Sequence, residues 1–273
     1  DYDNDNYIDL IIANLAGYNE LYKNNGNGTF SLVTPTPLDS VNAQSTNASW
    51  CDYDNDGDLD LFISNLGINN SLFRNDDTAF FKITTGSIVS NGGESYSGNW
   101  MDYNNDGWMD LYVVNANNSA NFLYKNLGNG SFQRIINLNI ASDPGSGRSA
   151  AWADFNNDGY EDLVIGNAHP SSSSLLRQNS MYLNNGNGTF TKILAGTFVS
   201  DFSFTTGLGV GDLNRDGFID IACANPNGAK EIYMNDGGTN SFISFNISGI
   251  NGQAYALNAK IKVKSDFQGN GSK

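Results

Sequence analysis

An all-β repeat fold is what this sequence predicts, and three observations predict it. An acidic segment occurs five times, beginning at Asp1, Asp52, Asp102, Asp154 and Asp212, with starts 51, 50, 52 and 58 residues apart. A short aliphatic, β-prone run follows each copy, with no helical periodicity. Between copies the same four apolar segments return in the same order. Four short strands in a unit of about 50 residues, repeated, read as blades of a β-propeller, here five loop repeats of a larger array.

The first segment of each unit precedes the acidic loop: Ala48–Cys51, Gly98–Met101, Ala150–Ala153 and Leu208–Gly211, with none before the first loop. The second follows it: Leu10–Ala13, Leu61–Ser64, Leu111–Val114, Leu163–Gly166 and Ile221–Ala224. These end in Asn14, Asn65, Asn115, Asn167 and Asn225, and asparagine suits a strand-ending Asx-turn. The third is Leu21–Lys23, Leu72–Arg74, Leu123–Lys125, Met181–Leu183 and Ile232–Met234. A turn follows, clearest as Asn25-Gly26-Asn27-Gly28 and Asn185-Gly186-Asn187-Gly188, a hairpin signal. The fourth opens on Phe30, Phe80, Phe132, Phe190 or Phe242.

From that phenylalanine to the next first-strand Trp or Val is always 20 residues. The second-to-third step alone stretches, from 13 or 14 residues to 20 in repeat 4, around Ala168-His169-Pro170-Ser171. In a meandering unit the acidic loops and glycine hairpins share one face, and the insertion falls on the other, where repeat proteins vary for binding.

The loop Asp52-Tyr53-Asp54-Asn55-Asp56-Gly57-Asp58-Leu59-Asp60 carries carboxylates at positions 1, 3, 5 and 9 and glycine at 6. Alternate oxygen ligands on a tight turn suit a hard cation with six to eight oxygens, and calcium is the expected ion, up to five per chain. The candidate ligands are Asp1, Asp3, Asp5 and Asp9; Asp52, Asp54, Asp56 and Asp60; Asp102, Asn104, Asp106 and Asp110; Asp154, Asn156, Asp158 and Asp162; and Asp212, Asn214, Asp216 and Asp220. Asparagine at position 3 in the last three loops removes a charge and predicts weaker sites. Asn6 stands where the others have glycine, a position needing the left-handed conformation that asparagine tolerates. An EF-hand is excluded, because position 12 is Ile12, Ile63, Val113, Ile165 or Cys223 and a strand follows.

The formal charge is −15, and 17 of the 29 acidic residues lie at those loop positions. Five divalent ions would bring the net charge to about −5, so the acidity is mostly metal-site acidity. With only 14 scattered Lys and Arg, nucleic-acid binding is not expected. No apolar run is long enough to span a bilayer. Cys51 and Cys223 fall in strands of different repeats and read as reduced, buried thiols rather than a disulfide. Eight N-x-S/T sequons, at Asn27, Asn47, Asn69, Asn117, Asn129, Asn187, Asn246 and Asn270, are compatible with N-glycans on an exported surface, although a chain this rich in Asn, Ser and Thr yields sequons by chance.

The acidic loops, the Asp-Leu-aliphatic-aliphatic-x-Asn strand and the Gly-Asn-Gly-Thr-Phe turn resemble the FG-GAP/VCBS repeats of integrin α-subunits and bacterial surface proteins, over about residues 1–245. The resemblance implies a calcium-binding propeller, most often seven-bladed. It also implies that the backbone carbonyl at loop position 7 joins the ligand set, at Tyr7, Asp58, Trp108, Tyr160 and Phe218. The tail, residues 246–273, resembles the start of an ASPIC/UnbV-like module, with Asn258 in place of that pattern's glycine; a plain extra strand is the rival reading.

His169, the only histidine, lies in the serine-rich insertion with no acid fixed beside it, so a surface contact is a better reading than a general base. Trp50, Trp100 and Trp152 hold one equivalent position and are expected to pack between blades, and the same expectation extends to Trp108 and its equivalents. Lys23, Arg74 and Lys125 recur at one strand position and read as structural. The functional expectation is a calcium-binding extracellular or cell-surface propeller in adhesion, ligand binding or scaffolding, with a protein or glycan ligand. A second reading is a subunit of a surface fibre, assembled head to tail by donating a strand to a neighbour's incomplete blade. A carbohydrate-active enzyme on a calcium propeller is a third. No catalytic constellation supports it, because every well-placed acid already serves the loops, and the chain is not expected to be an enzyme.

Overall fold

The five repeats form antiparallel sheets. The structure is a computed structural model and describes residues 1–40, 43–168, 178–200, 202–226, 228–238 and 240, all within one compact unit, Asp1–Phe242. Repeat 1 contributes three strands, Leu10–Ile12, Glu20–Asn24 and Phe30–Leu32, paired in order. Repeat 2 contributes Ser45–Cys51, Asp60–Ile68, Ser71–Asp76 and Ala79–Ile83. Repeat 3 contributes Gly93–Met101, Asp110–Asn115, Phe122–Asn126 and Phe132–Ile135. Repeat 4 is a four-stranded meander of Gly147–Ala153, Asp162–Asn167, Ser180–Asn184 and Phe190–Ile193. Three strands of repeat 5 are described, Gly207–Gly211, Asp220–Ala224 and Glu231–Tyr233. The expected fourth strand at Phe242, the His169 insertion and the tail beyond residue 245 lie outside the described residues. Among the described residues no helix is long and apolar enough to cross a membrane.

Two departures from separate units are visible, and the smaller pairs Ser119 and Ala120 of repeat 3 with Gly145 and Pro144 ahead of repeat 4. The second strand of repeat 2 runs on past Asn65 to Ile68, and Leu66 and Ile68 pair with Glu94 and Gly93. Repeats 2 and 3 therefore share one eight-stranded sheet. The sequence pattern ended that strand at Ser64, because Leu66-Gly67-Ile68 lacks a partner within its own repeat.

The core consists of four apolar clusters, and each draws on two neighbouring repeats. Tyr2 and Leu21 of repeat 1 meet Leu61, Ile63, Phe73 and Phe80 of repeat 2. Tyr53, Phe62 and Leu72 meet Leu111, Val113, Tyr124 and Phe132. Tyr112, Val114 and Leu123 meet Leu163, Ile165, Tyr182 and Phe190, and Phe155 and Val164 meet Ile221 and Cys223. A single sheet cannot cover its own apolar face, so neighbours stack and stability accumulates interface by interface. Trp50, Trp100 and Trp152 pack against these clusters as expected, with Trp100 stacked on Tyr53 at 6.1 Å and 5°. Cys51 and Cys223 are buried in different clusters.

Two asparagine series tie the repeats together, and the first is not the simple strand-ending turn the sequence suggested. The strand-ending Asn65, Asn115 and Asn167 are buried. Their N–H groups donate to Asn70, Asn121 and Asn179 side chains at 2.8–3.0 Å. Asn19 then donates to Ser45, whose hydroxyl donates to Asn65; Asn70, Ser95 and Asn115 repeat the relay one unit on. The second series follows the third strand. The amides of Asn75, Asn126, Asn184 and Asn235 each donate, at 2.7–2.8 Å, to the carbonyl of loop position 2 in the preceding repeat, at Tyr2, Tyr53, Tyr103 and Phe155. Asn126→Ala removes that bond, a second one to Met109 O and the acceptor for Gly128 N–H. The expected cost is about 2–4 kcal/mol, read from urea unfolding, because buried backbone partners lose their bonds.

Candidate metal centre

Each acidic loop is a turn whose backbone is wound around its own carboxylates. Position 4 is left-handed in all five copies: Asn4, Asn55, Asn105, Asn157 and Arg215 have φ between 55° and 66°. Position 6 is left-handed too, at φ 73° for Asn6 and 88–103° for Gly57, Gly107, Gly159 and Gly217, which is why glycine or asparagine stands there. The position-1 carboxylate accepts the N–H of positions 5 and 6, seen at Asp1, Asp102, Asp154 and Asp212 with distances of 2.7–3.1 Å. The position-5 carboxylates of Asp5, Asp56, Asp106, Asp158 and Asp216 accept the N–H of position 7, at Tyr7, Asp58, Trp108, Tyr160 and Phe218.

The position-9 aspartate is a staple as well as a candidate ligand. Asp60 accepts Tyr53 N–H at 3.1 Å and Asn75 N–H at 2.8 Å; Asp9, Asp162 and Asp220 make the same pair of bonds. It therefore joins the loop to the end of the third strand. Asp60, Asp110, Asp162 and Asp220 are almost wholly buried. Burial pushes the Asp60 carboxyl up to about 8 and those of Asp110 and Asp162 to about 7.

Carboxylates of positions 1, 3 and 9 converge in two loops. Oxygens of Asp1, Asp3 and Asp9 lie within 4.8 Å of one another, as do those of Asp52, Asp54 and Asp60. Burial, followed by the charge of Asp56, raises the Asp54 carboxyl. In repeats 3 to 5 the amide oxygens of Asn104, Asn156 and Asn214 instead accept the N–H of the position-5 aspartate. Among the described residues, the buried carboxylate oxygens Asp3 Oδ1, Asp54 Oδ1 and Asp110 Oδ2 have no hydrogen-bond partner. Orphaned, desolvated anionic oxygens are unfavourable unless a cation answers them. The donor set of hard oxygens with no nitrogen or sulfur fits calcium.

The lysines add what sequence reasoning missed. Lys23 bonds Asp3 and, at 2.9 Å, Asp5, and Lys125 lies 3.1 Å from Asp106. The Lys23 hydrogen bond holds the Asp5 carboxyl below its ordinary range. Arg74 differs and pairs with Asp76 at 3.3 Å. The recurring base is thus a loop counter-charge in repeats 1 and 3, not a strand feature alone. The signal was present in its spacing, one residue before the asparagine that contacts the loop.

Position 7 also departs from expectation. Trp108 does not enter the inter-repeat core. Its ring covers the hairpin of its own repeat, so close that a Cβ at Gly128 would stand 2.6 Å from it. Tyr7, Tyr160 and Phe218 cover Gly26, Gly186 and Gly237 in the same way. In repeat 2 both partners change: Asp58 replaces the aromatic, and its carboxylate accepts Asp77 N–H at 2.7 Å in a tighter hairpin. Gly128→Ala is expected to cost about 1–3 kcal/mol, from overpacking and from the φ of 69°. Adding Trp108→Ala relieves the steric part, so a double-mutant cycle in urea shows coupling between the two sites.

The FG-GAP-like repeat family model matches residues 1–63, 102–165 and 171–223, and the chain belongs to this family. No curated protein matches it. Among solved structures, it is similar to the Photorhabdus luminescens Tc holotoxin pore, with 16% identity over 85% of this chain and 11% of that one and a TM-score of 0.47. It is also similar to the V. cholerae biofilm matrix protein Bap1, with 16% identity over 85% of this chain and 35% of that one and a TM-score of 0.46. The chain thus spans about a tenth and about a third of the lengths of these two chains.

Proposed function

We propose that this chain is a calcium-stabilised array of propeller blades acting outside the cell in adhesion, ligand binding or scaffolding. The observation that carries the reading is the convergence of Asp52, Asp54 and Asp60 within 4.8 Å, with Asp54 Oδ1 buried and unanswered. The ion's ligands are the side chains at positions 1, 3, 5 and 9 and the carbonyl at position 7. The ion neutralises carboxylates that repel one another and fixes the turn between the first and second strands. Membership of the FG-GAP-like family and the stacking of sheets through four shared cores support the propeller reading. Loops of this chemistry with affinities of about 10⁻⁴ to 10⁻³ M work where calcium is plentiful, which is outside the cell.

The test is retention of the chain on arrays of immobilised glycans and matrix proteins, in millimolar-range calcium and in chelator. Calcium-dependent retention on at least one ligand class is the expected result. Equal retention, or none, in both conditions contradicts the reading.

A further inference from the structure

We propose that a cleft on repeat 3, built around Arg134, binds a carboxylate-bearing sugar, a uronate. The cleft has a volume of about 500 Å3 and contains none of the loop acids. Ser90, Asn91, Asn115, Ser119, Phe122 and Arg134 line it, and no lining residue is acidic; Glu94, the nearest acid in sequence, is not part of the wall. The Arg134 guanidinium lies over the Phe122 ring at 4.4 Å, which fixes its plane. Its Nε is buried and has no hydrogen-bond partner, and no carboxylate of the described residues pairs with Arg134. A planar, stacked guanidinium with donors to spare is the group that recognises a carboxylate through two parallel bonds.

Repeat 4 supplies the control inside the same chain. Asp143 lies nine residues before Trp152, as Asn91 lies nine before Trp100. Lys192 and Arg134 both stand two residues after the fourth-strand phenylalanine, and Tyr182 and Tyr124 both stand eight before it. In repeat 4 the acid answers the base: Asp143 lies 2.8 Å from Lys192 Nζ and accepts the Tyr182 hydroxyl at 2.9 Å. The corresponding cleft there has a volume of about 120 Å3. In repeat 3 Asn91 stands at the acid's position, its amide donates to the Tyr124 hydroxyl at 3.2 Å, and the cation faces an open cleft. The carboxylate that repeat 4 carries within itself is the group that repeat 3 takes from outside. The hydroxyls of Ser90 and Ser119 and the amide of Asn91 offer partners for sugar hydroxyls, which favours a uronate over an acidic peptide.

This assignment deepens the ligand-binding reading without resting on the ion sites, since the cleft and the loops share no residue. Glucuronic acid and a short oligouronate are titrated into the full chain, followed by amide chemical shifts, with glucose and an acidic peptide as comparisons. All titrations use one fixed calcium concentration. Glucuronate is expected to bind with a dissociation constant on the order of 1 mM, shifting residues around Arg134, while glucose does not. Arg134→Gln weakens binding by about tenfold or more. Asn91→Asp abolishes it by supplying the internal acid, with the melting temperature kept. Should Asn91→Asp lower the melting temperature, Arg134→Gln still decides. Equal binding of glucose, unchanged binding in Arg134→Gln, or binding of the acidic peptide but not of glucuronate overturns the proposal. Loss of calcium binding with uronate binding intact would instead count against the ion reading alone.

Discussion

Chelating calcium is expected to lower the melting temperature, and to lower it more at pH 8 than at pH 5. In the ion-free chain, desolvation holds the Asp60 carboxyl up to about 8 and those of Asp110 and Asp162 to about 7. Neighbouring loop acids push the same way, while the backbone N–H donors pull each of them back. An unfolded aspartate titrates near about 3.9. The folded pKa values lie above the unfolded one, so the folded chain binds more protons between them. The stability tied to these groups is therefore fully present below about pH 4 and is lost as pH rises through about 7 to 8. On the proposed reading, calcium binds the ionised form and cancels this loss. At 10 to 100 times its dissociation constant, each ion adds about 1.4–2.7 kcal/mol. Each kcal/mol moves the melting temperature by about 2–4 °C in a chain of this size. Scanning calorimetry from pH 5 to 8, in calcium and in chelator, reads both effects. A gap between the two curves that narrows toward pH 8 contradicts the account.

Asp54 and Asp60 are expected to fail in opposite ways when replaced. Asp60→Ala leaves the buried N–H groups of Tyr53 and Asn75 without acceptors. The expected cost is about 3–5 kcal/mol in calcium and in chelator alike, because the staple is lost whether or not the ion is present. Asp54→Asn removes a charge whose Oδ1 has no partner and whose neighbours are Asp52 and Asp56. In chelator it is expected to leave stability unchanged or raised by about 1 kcal/mol; in calcium it forfeits one site's contribution. Urea unfolding of both variants in both conditions separates staple from ligand. If Asp60→Ala is destabilising only in calcium, the staple assignment is wrong.

Much of this was legible in sequence because the unit recurs. Strand positions, the inward tryptophans and the loop acids all follow from the shared spacing of repeats 2 to 4. What stayed hidden needed the neighbouring unit. Asn126 accepts Gly128 N–H within its own hairpin, but the reach of its amide to Tyr53 O of the preceding repeat, 2.8 Å away, cannot be read from its own repeat. Loop position 4 is asparagine in four of the five copies, Asn4, Asn55, Asn105 and Asn157, but neither its left-handed backbone nor its reach across repeats was read from that pattern. Asn157 and Asn105 donate to Gly217 O and Gly159 O of the next loop, at 3.0 and 3.3 Å. Trp108 was misplaced because equivalence across repeats fits packing on one's own hairpin as well as packing between sheets. The paired change in repeat 2, Asp58 with Asp77, was the available signal.

The most direct measurement is the number of calcium ions bound per chain, by equilibrium dialysis of the wild type and of Asp54→Asn. The account predicts up to five in the wild type, with those of Asp1 and Asp52 loops among them, and one fewer in the variant. No bound calcium at concentrations of about 10⁻² M, ten times the weakest affinity expected of such loops, or an unchanged count in Asp54→Asn, would contradict it.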